Sequence, residues 1–340
     1  MRGVVMLGDR SCRLHEFPDP EPGPGEVRVK MMATGICGSD LHTYRQTPER
    51  ARAREGRILG HEPCGVVDAV GIGVTRVKEG ERVTVYHRLG CGHCPQCAAG
   101  RQNTCPDWRG YGGALEGSFA DYVLAEERSC IPLGGSLSFV DGAFIACPAG
   151  TAYSALRKLD VKAGDCVVVV GLGPVGLSGV RLARAMGAEI IGVDLIPERL
   201  ELGRKLGAGA TIAATDGDPV AAIRDHTGGR GAPLAFETSG SPKGRDTAVR
   251  CLRLEGKAAF VGGGNSDKVI NPGDLIAREL TLMGSCCLPL PMAWELVQFF
   301  EEREISMDEA VTHRFALEDA PEAFRLFDEG RTGKVVFEWS

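Results

Sequence analysis

Residues 166–176 read CVVVVGLGPVG, in which a cysteine and four consecutive valines are followed by a glycine-rich turn. This stretch gives the strongest indication of the fold. The next twelve residues, LSGVRLARAMGA, have the apolar spacing of a helix, and EIIGVD at 189–194 has the composition of a second strand. A strand, a Gly-x-Gly-x-x-Gly turn, a helix and another strand make a βαβ unit, whose strands must be parallel. The sequence therefore predicts an α/β fold with a doubly wound parallel sheet.

The turn after the valines predicts a dinucleotide site. Its glycines let a pyrophosphate approach the backbone at a helix N-terminus, where unpaired N–H groups and the helix dipole favour an anion. A tight turn that binds no ligand is the alternative. The candidate residues of the turn are Gly171, Gly173, Pro174, Val175 and Gly176.

Asp194 ends the second strand and predicts NAD rather than NADP. Its carboxylate can accept hydrogen bonds from the adenosine ribose, whereas the extra phosphate of NADP would be repelled by roughly 4 kcal/mol at about 4 Å and an effective dielectric near 20. Arg199 is expected at the rim of the adenosine site or on a solvated helix face.

Three more strand candidates, at 210–213, 234–237 and 258–262, extend the wound sheet to about Met283. The residues after the candidate at 234–237 and at the end of the one at 258–262 are expected to line the nicotinamide: Thr238, Ser239 and Gly262. Plain strand-to-helix turns are the alternative. Residues 1 to about 150 instead alternate Val-rich runs with Gly and Pro, which is typical of an irregular β domain. The final TGKVVFEW predicts a strand that completes this first domain.

Composition points to small-molecule chemistry. The 340 residues carry 39 Lys and Arg against 45 Asp and Glu, a net charge of −6, so we expect neither a nucleic-acid nor a membrane partner. The opening MRGVVMLGDR has no secretory pattern, and we expect a cytosolic location. Thirteen cysteines in such a chain predict metal ligands or buried thiols rather than disulfides.

Four of these cysteines lie close together, at C-x2-C-x2-C-x7-C spacing, and predict a structural zinc site. They are Cys91, Cys94, Cys97 and Cys105. The segment around them has few apolar side chains and many glycines and prolines, so we expect no regular structure and an ordering that depends on the metal. Four unrelated thiols and a [4Fe-4S] cluster are the alternatives, and the colour of the protein would separate zinc from iron.

A second set of donors is dispersed along the first domain: Cys37, His61, Glu62 and Cys147. Their S, N, O and S atoms suit a catalytic zinc that the fold assembles. Two thiolates and a neutral imidazole balance the charge of Zn²⁺, so Glu62 is expected as an exchangeable ligand or a close neighbour. Tyr44, Trp108, Arg109 and Phe119 are candidates for a substrate wall, with packing against neighbours as the alternative.

The segments GICGSDLH, GHEPCGVV, the four-cysteine stretch, GLGPVG and TGKVV, in this order, resemble the zinc-dependent medium-chain alcohol and polyol dehydrogenases over essentially the whole chain. The resemblance implies a GroES-like catalytic domain at 1–148 with a zinc lobe at about 88–110. It also implies a Rossmann domain at 149–285 and a C-terminal return at 286–340. It assigns the catalytic zinc to Cys37, His61 and Cys147 with Glu62 beside it, and the structural zinc to the lobe.

The resemblance also implies a proton relay from Ser39 to His42, which would accept the proton of the alcohol. One departure concerns the substrate, because sorbitol-like members usually carry glutamate where this chain has Cys147. We therefore expect an NAD-dependent zinc oxidoreductase for a secondary alcohol: a polyol, a sugar derivative or a hydroxy amino acid. A threonine 3-dehydrogenase-like enzyme and a non-catalytic NAD(H)-binding redox sensor with only structural zinc are the alternatives. Similar bacterial enzymes are commonly tetramers, so a homo-oligomer, tetramer or dimer, is expected.

Overall fold

The structure, a computed structural model, describes residues 1–52, 56–264 and 270–340. The chain forms two compact units, one of Met1–Gly150 with Pro289–Ser340 and one of Thr151–Leu288. The sequence placed these divisions after residues 148 and 285. The first division falls inside a helix, Pro148–Leu159, which explains why no turn signal marks it.

The strands and helices alternate irregularly in the first unit and regularly in the second. The strands are β1 (Arg2–Gly8), β2 (Ser11–Glu16), β3 (Glu26–Gly35), β4 (Cys64–Val70), β5 (Arg82–Val85), β6 (Arg88–Leu89), β7 (Arg109–Gly110), β8 (Tyr122–Glu126), β9 (Cys130–Pro132), β10 (Cys166–Val170), β11 (Glu189–Asp194), β12 (Ala210–Ala213), β13 (Ala232–Glu237), β14 (Leu252–Phe260), β15 (Thr281–Gly284), β16 (Val311–Phe315) and β17 (Lys334–Glu338). The helices are α1 (Asp40–Tyr44), α2 (Pro48–Arg52), α3 (Pro95–Ala98), α4 (Phe139–Ala146), α5 (Pro148–Leu159), α6 (Pro174–Ala185), α7 (Pro197–Lys205), α8 (Pro219–His226), α9 (Pro242–Arg250), α10 (Pro272–Arg278), α11 (Leu290–Glu302) and α12 (Ala320–Asp328).

The second unit contains a six-stranded parallel sheet in the order β12-β11-β10-β13-β14-β15. The valines of β10 are buried at its centre, because a parallel strand covered by helices on both faces must be apolar throughout. Consecutive strands run outward in both directions from β10, so the turns after β10 and β13 lie side by side where the strand order reverses. The predicted doubly wound fold is confirmed.

The first unit is built around a mixed sheet in the order β16-β17-β3-β4-β5-β9, and β8 also pairs with β3. The last strand, β17, pairs antiparallel with β3 and parallel with β16. The C-terminal strand β17 therefore lies inside the sheet of this unit, between β3 and β16. One core cluster packs β1 and α12 around Phe119, Phe324 and Phe337, and another fills the space around Val27, Val29 and Val83.

Two of the side chains considered for a substrate wall belong to the core instead. Tyr44 and Phe119 are fully buried and pack against Phe324, with ring centroids 5.3 Å and 5.5 Å apart. Trp108 lies at the surface under the guanidinium of Arg88. These aromatic rings therefore stabilise the unit by packing, the alternative that the sequence left open. In the described part of the chain, every helix is too short or too polar to cross a bilayer.

Candidate functional site: two metal centres and a nucleotide turn

The four lobe cysteines converge on one point. Their sulfur atoms all lie within 4.8 Å of one another, and the sulfurs of Cys94 and Cys105 are 3.7 Å apart. A tetrahedral site with Zn–S bonds of about 2.3 Å has an S···S edge of about 3.8 Å. The donor type, the number of donors and their spacing therefore fit a zinc ion.

The backbone of the lobe is more regular than the sequence predicted. Cys94 caps the single-turn helix α3, and its sulfur accepts a hydrogen bond from the backbone N–H of Cys97 at 3.5 Å. The expectation of no regular structure was wrong, because Pro95 is favourable at the first position of a helix and a cysteine sulfur can replace the usual capping oxygen. The backbone N–H of Cys91 donates to the sulfur of Cys105 at 3.3 Å, so N–H groups from the lobe also stabilise thiolate charge.

The dispersed donors also come together. Ligand atoms of Cys37, His61, Glu62 and Cys147 all lie within 4.8 Å of one another. Cys37 follows β3, His61 and Glu62 precede β4, and Cys147 ends α4, so three separate connections of the first unit supply them. The neighbouring Cys147 and the charge of His61 hold the pKa of the Cys37 thiol well below its usual range, which favours the thiolate that a metal requires.

Asp40 orients His61, a role that was not predicted from the sequence. Its Oδ1 lies 3.2 Å from His61 Nδ1, and its Oδ2 accepts a hydrogen bond from the backbone N–H of Cys37 at 2.8 Å. Burial alone would lower the pKa of His61, but Asp40 and Cys37 together raise it well above the usual range. A histidine that gives its Nδ1 proton to a carboxylate presents Nε2 as the metal ligand. The sequence feature that could have indicated this role is an aspartate three residues after Cys37.

Lys334 is a second partner of the dispersed donors, and its role was not predicted from the sequence either. Its side chain is fully buried, its Nζ lies 2.5 Å from Glu62 Oε2, and it donates to the carbonyl of Ile36 at 2.9 Å. Burial raises the pKa of Glu62 to about 7, and the charge of Lys334 opposes that rise. The ammonium offsets the negative charge that Glu62 would add to a zinc with two thiolates. Within the described residues, Glu62 Oε1 is buried without a hydrogen-bond partner, which fits an oxygen that contacts a metal.

Two further polar residues border this cluster. Ser39 Oγ lies 3.5 Å from His61 Nε2, while His42 is exposed and its backbone N–H donates to the carbonyl of Ser39 at 3.2 Å. His87 is buried with its ring centroid 5.3 Å from that of His61, and its Nδ1 lies 2.7 Å from the carbonyl of Ala146. Burial lowers the pKa of His87 to about 4, so this imidazole is neutral. No sequence motif marks His87.

In the second unit, the three glycines of the turn after β10 have distinct roles. Gly171 has a φ of +91°, and a Cβ on Gly176 would lie only 1.8 Å from the carbonyl oxygen of Gly171. Around Gly173 the nearest atom to such a Cβ is the guanidinium of Arg199 at 4.0 Å, so this backbone is open to a ligand. Gly173 is the N-cap of α6, and Pro174 and Val175 are the first two residues of this helix. The turn therefore leaves backbone open at the start of a helix, where a pyrophosphate can approach closely.

Asp194 holds this turn in place. Its Oδ2 accepts the backbone N–H of Leu172 at 2.6 Å, and its Oδ1 accepts those of Leu195 and Ile196 at 2.7 Å and 2.9 Å. The carboxylate is thus fixed at the end of β11. Arg199 lies over Gly173 rather than on a solvated helix face, and burial lowers its pKa while Asp194 opposes that shift.

The remaining candidates lie on the next two turns. Thr238 Oγ1 donates to the carbonyl of Gly171 at 2.7 Å and so joins its turn to the first one. Ser239 Oγ donates to Glu237 at 2.6 Å. A Cβ on Gly262 would lie 2.2 Å from the backbone nitrogen of Gly240, so these two turns touch each other.

Two family models cover most of the chain. Residues 23–135 match the alcohol dehydrogenase GroES-like domain, and residues 174–302 match the zinc-binding dehydrogenase domain. The first match spans β3 and most of the sheet strands of the first unit, and the second begins at the N-terminus of α6. The first match lies wholly within the first unit, and the second covers most of the second unit and continues through α11 of the first.

Whole-chain comparisons agree with these models. An uncharacterized zinc-type alcohol dehydrogenase-like protein of Escherichia coli is 39% identical over 99% of this chain and 98% of its own length. Sorbitol dehydrogenase of Bacillus subtilis is 34% identical over 84% of this chain and 81% of its own length. The solved structure of an alcohol dehydrogenase from Thermus sp. ATN1 superposes with a TM-score of 0.91 at 29% identity, over 99% of both chains. The chain therefore belongs to the zinc-dependent alcohol dehydrogenase family.

Proposed function

We propose that this protein oxidises the secondary hydroxyl of a polyol, a sugar derivative or a hydroxy amino acid, and transfers the hydride to NAD. Membership of the family makes it a zinc-dependent oxidoreductase for alcohols. The convergence of Cys37, His61, Glu62 and Cys147 carries the proposal, because these donors from separate connections have no structural need to meet unless they hold a metal. The four-cysteine lobe would hold a second, structural zinc.

The dispersed donors Cys37, His61, Glu62 and Cys147 would hold a zinc that acts as a Lewis acid toward an alcohol oxygen and favours loss of the alcohol proton. Cys37 and Cys147 contribute thiolate donors, and Asp40 keeps the ring of His61 oriented. Glu62 is held by Lys334 beside the metal position, where it can exchange as a ligand. A cation at Lys334 keeps the cluster from becoming net negative, which would weaken a Lewis acid.

The proton of the alcohol needs a path to solvent, and we assign it to Ser39 and His42. Ser39 Oγ lies beside His61 and can both accept and donate a hydrogen bond. His42 is exposed one helical turn further on, and its ring nitrogens can donate and accept hydrogen bonds with solvent. Removal of either group should slow hydride transfer without loss of zinc.

NAD supplies the hydride acceptor, and the second unit would bind it through the turn after β10. Asp194 is aligned by three backbone N–H groups and would accept hydrogen bonds from the adenosine ribose. Arg199 lies over the open backbone at Gly173, where its guanidinium would favour the negative charge of a cofactor pyrophosphate. Thr238, Ser239 and Gly262 would shape the nicotinamide half of the same site.

The test is turnover of the purified zinc-loaded protein with NAD against a panel of polyols, sugar alcohols, hydroxy amino acids and primary alcohols. Oxidation of a secondary alcohol, with two zinc ions per chain and a preference for NAD over NADP, is expected. Cys37→Ala should abolish turnover and retain one zinc, whereas Cys12→Ala, a buried thiol outside both clusters, should retain both zinc ions and activity. Turnover that persisted in Cys37→Ala, or a single zinc in the wild type, would refute the proposal.

We also propose a cytosolic homo-oligomer, a dimer or tetramer, that associates through the second unit. Strand β15 is an edge strand, and α10 beside it has no buried residue. Ile276 is 77% exposed and Leu254 67% exposed on this unit, and exposed apolar side chains next to a sheet edge favour pairing with a second copy. Analytical ultracentrifugation should give more than one chain per particle, and Ile276→Asp should shift the protein toward the monomer.

A further inference from the structure

Two glycine-containing turns touch backbone to backbone at the carboxyl ends of β13 and β14. Gly240 has a φ of +64°, and a Cβ there would lie 2.0 Å from the carbonyl oxygen of Gly263. A Cβ on Gly264 would lie 2.4 Å from the carbonyl oxygen of Gly240. Contacts this close leave no room for side chains, so the relative position of the two turns depends on a group that can bond to both.

Glu237, the last residue of β13, is that group. Its Oε1 accepts hydrogen bonds from Ser239 Oγ at 2.6 Å and from the backbone N–H of Gly240 at 2.9 Å. Its own carbonyl accepts the backbone N–H groups of Val261 and Gly262, at 3.0 Å and 3.3 Å. One residue therefore fixes the turn that follows it and the turn of the neighbouring strand.

The next residue extends this network to the nucleotide turn. Thr238 donates from Oγ1 to the carbonyl of Gly171, and its backbone N–H donates to the carbonyl of Val170 at 2.9 Å. The turns after β10, β13 and β14 are thus joined in series through Glu237 and Thr238. These turns carry the candidate cofactor residues of this unit other than Asp194 and Arg199.

Glu237 is an unfavourable choice for a purely structural link. Its side chain is fully buried, and burial raises the pKa of its carboxyl although Ser239 and Gly240 oppose the shift. Among the described residues, Oε2 has no hydrogen-bond partner, and it faces Gly262, where a Cβ would lie 2.8 Å away. A buried carboxylate with one oxygen unpaired reduces stability. A neutral side chain could bridge the two turns with a smaller loss of stability.

We propose that Glu237 is a positioning residue for the nicotinamide half of NAD, because it sets the separation and orientation of the turns at Thr238–Gly240 and at Gly262–Gly264. The inference rests on the proposed NAD-dependent function. Glu237 does not contact the cofactor itself, since its oxygens are inaccessible and face the backbone of the two turns. Its effect should appear in cofactor binding rather than in the metal cluster of the other unit.

The test replaces Glu237 by Gln in the zinc-loaded protein and measures NADH binding by fluorescence titration, with KM for NAD, KM for the alcohol, zinc content and thermal unfolding. The amide keeps the shape, and its oxygen can still accept both hydrogen bonds, but the charge that strengthens them is lost and an NH2 group replaces the oxygen that faces Gly262. We therefore expect NADH affinity to fall about tenfold or more. KM for NAD should rise in parallel, while KM for the alcohol and the zinc content stay at wild-type values. Glu237→Asp keeps the charge on a shorter side chain and should lose less NADH affinity than Glu237→Gln. This second variant tests the proposal if the Gln variant does not fold.

Asp141→Asn is the matched control. Asp141 is an equally buried carboxylate of the first unit that caps α4 and accepts the backbone N–H of Met307 at 2.8 Å. Its replacement should lower the unfolding temperature and leave NADH affinity unchanged. The inference is overturned if Glu237→Gln binds NADH like the wild type, or if its KM for the alcohol changes as much as its KM for NAD. A wild type that did not bind NADH would instead refute the proposed function, and the inference with it.

Discussion

Two members of the cluster of Cys37, His61, Glu62 and Cys147 depend on partner side chains that are not themselves proposed as metal ligands. Lys334 lies in the last strand of the chain, yet its ammonium ion pairs with Glu62. Asp40 binds no metal in the proposed arrangement, yet it determines which nitrogen of His61 faces the cluster. The donors were predictable from residue type and motif, whereas these two partners were not, because ion pairing and ring orientation depend on tertiary contacts.

Lys334→Met should strongly destabilise the protein. The substitution leaves the Glu62 carboxylate buried without its counter-ion, and removal of one partner from a buried pair costs about 3–5 kcal/mol. Urea unfolding of the zinc-loaded variant measures the loss. The double variant Glu62→Gln/Lys334→Met removes both charges and should recover much of the stability. Equal stabilities of the single and double variants would show that the ion pair is not the source of the effect.

Asp40→Asn should weaken the catalytic zinc and leave the lobe zinc in place. Loss of an aspartate that orients a ligating histidine typically costs about 10- to 100-fold in metal affinity or activity. Competition with a chromophoric chelator measures the affinity of each zinc, and the four-cysteine lobe serves as the internal reference. Equal weakening of both ions would indicate a general loss of structure instead of a local effect at His61.

At the scale of elements, the periodicity of the sequence predicted the parallel sheet well and the lobe poorly. Strands β10 and β11 are marked by buried valine and isoleucine runs and by the glycine turn between them. Helix α3 has only four residues and depends on a cap by Cys94, so no repeating pattern could reveal it. The contacts among the turns after β10, β13 and β14 also escaped prediction, because strand order rather than sequence order makes them neighbours.

Gly176→Ala should disrupt the nucleotide turn. The added methyl group would lie 1.8 Å from the carbonyl oxygen of Gly171, so either the turn or the start of α6 must move. We expect a loss of NADH binding and a stability loss of about 1–3 kcal/mol, typical of an overpacked site. Gly135→Ala is the control, because no atom lies within 4 Å of the position of its Cβ. Wild-type NADH binding by Gly176→Ala would contradict the assignment of this turn.

At the scale of the whole molecule, the two ends of the chain meet in the first unit. The carboxylate of Asp121 accepts the backbone N–H of Arg2 at 2.7 Å, the Arg2 guanidinium at 2.6 Å and Trp339 Nε1 at 2.9 Å. Burial alone would raise the pKa of Asp121, but the hydrogen bonds from Arg2 and Trp339 outweigh it and hold the pKa below its usual range. The link depends on the charged form of this side chain.

The contribution of Asp121 to stability should therefore depend on pH in a defined direction. A carboxyl whose pKa is depressed in the folded state stabilises that state above the unfolded pKa of about 3.9, and the contribution disappears as the pH falls through the folded pKa. Asp121→Asn should be less stable than the wild type near neutral pH, and the difference should shrink below about pH 4. The difference in free energy of unfolding between the two proteins, measured in urea at each pH, isolates this group from other acid effects. A difference that is constant with pH would contradict the assignment.

The pairing of β17 with β3 has a consequence for biosynthesis. The second unit is complete once the ribosome has made residue 288, but the sheet of the first unit still lacks its strands β16 and β17. At a translation rate of about 5–20 residues per second, residues 33–35 of β3 wait without their partner until β17 emerges, whereas residues 26–30 already pair with β8. Lys334 arrives with that same strand, so Glu62 acquires its counter-ion only after β17 has been made. Nascent chains halted before residue 334 should therefore bind chaperones through β3 and lack the dispersed zinc, while the lobe, finished far earlier, is already loaded.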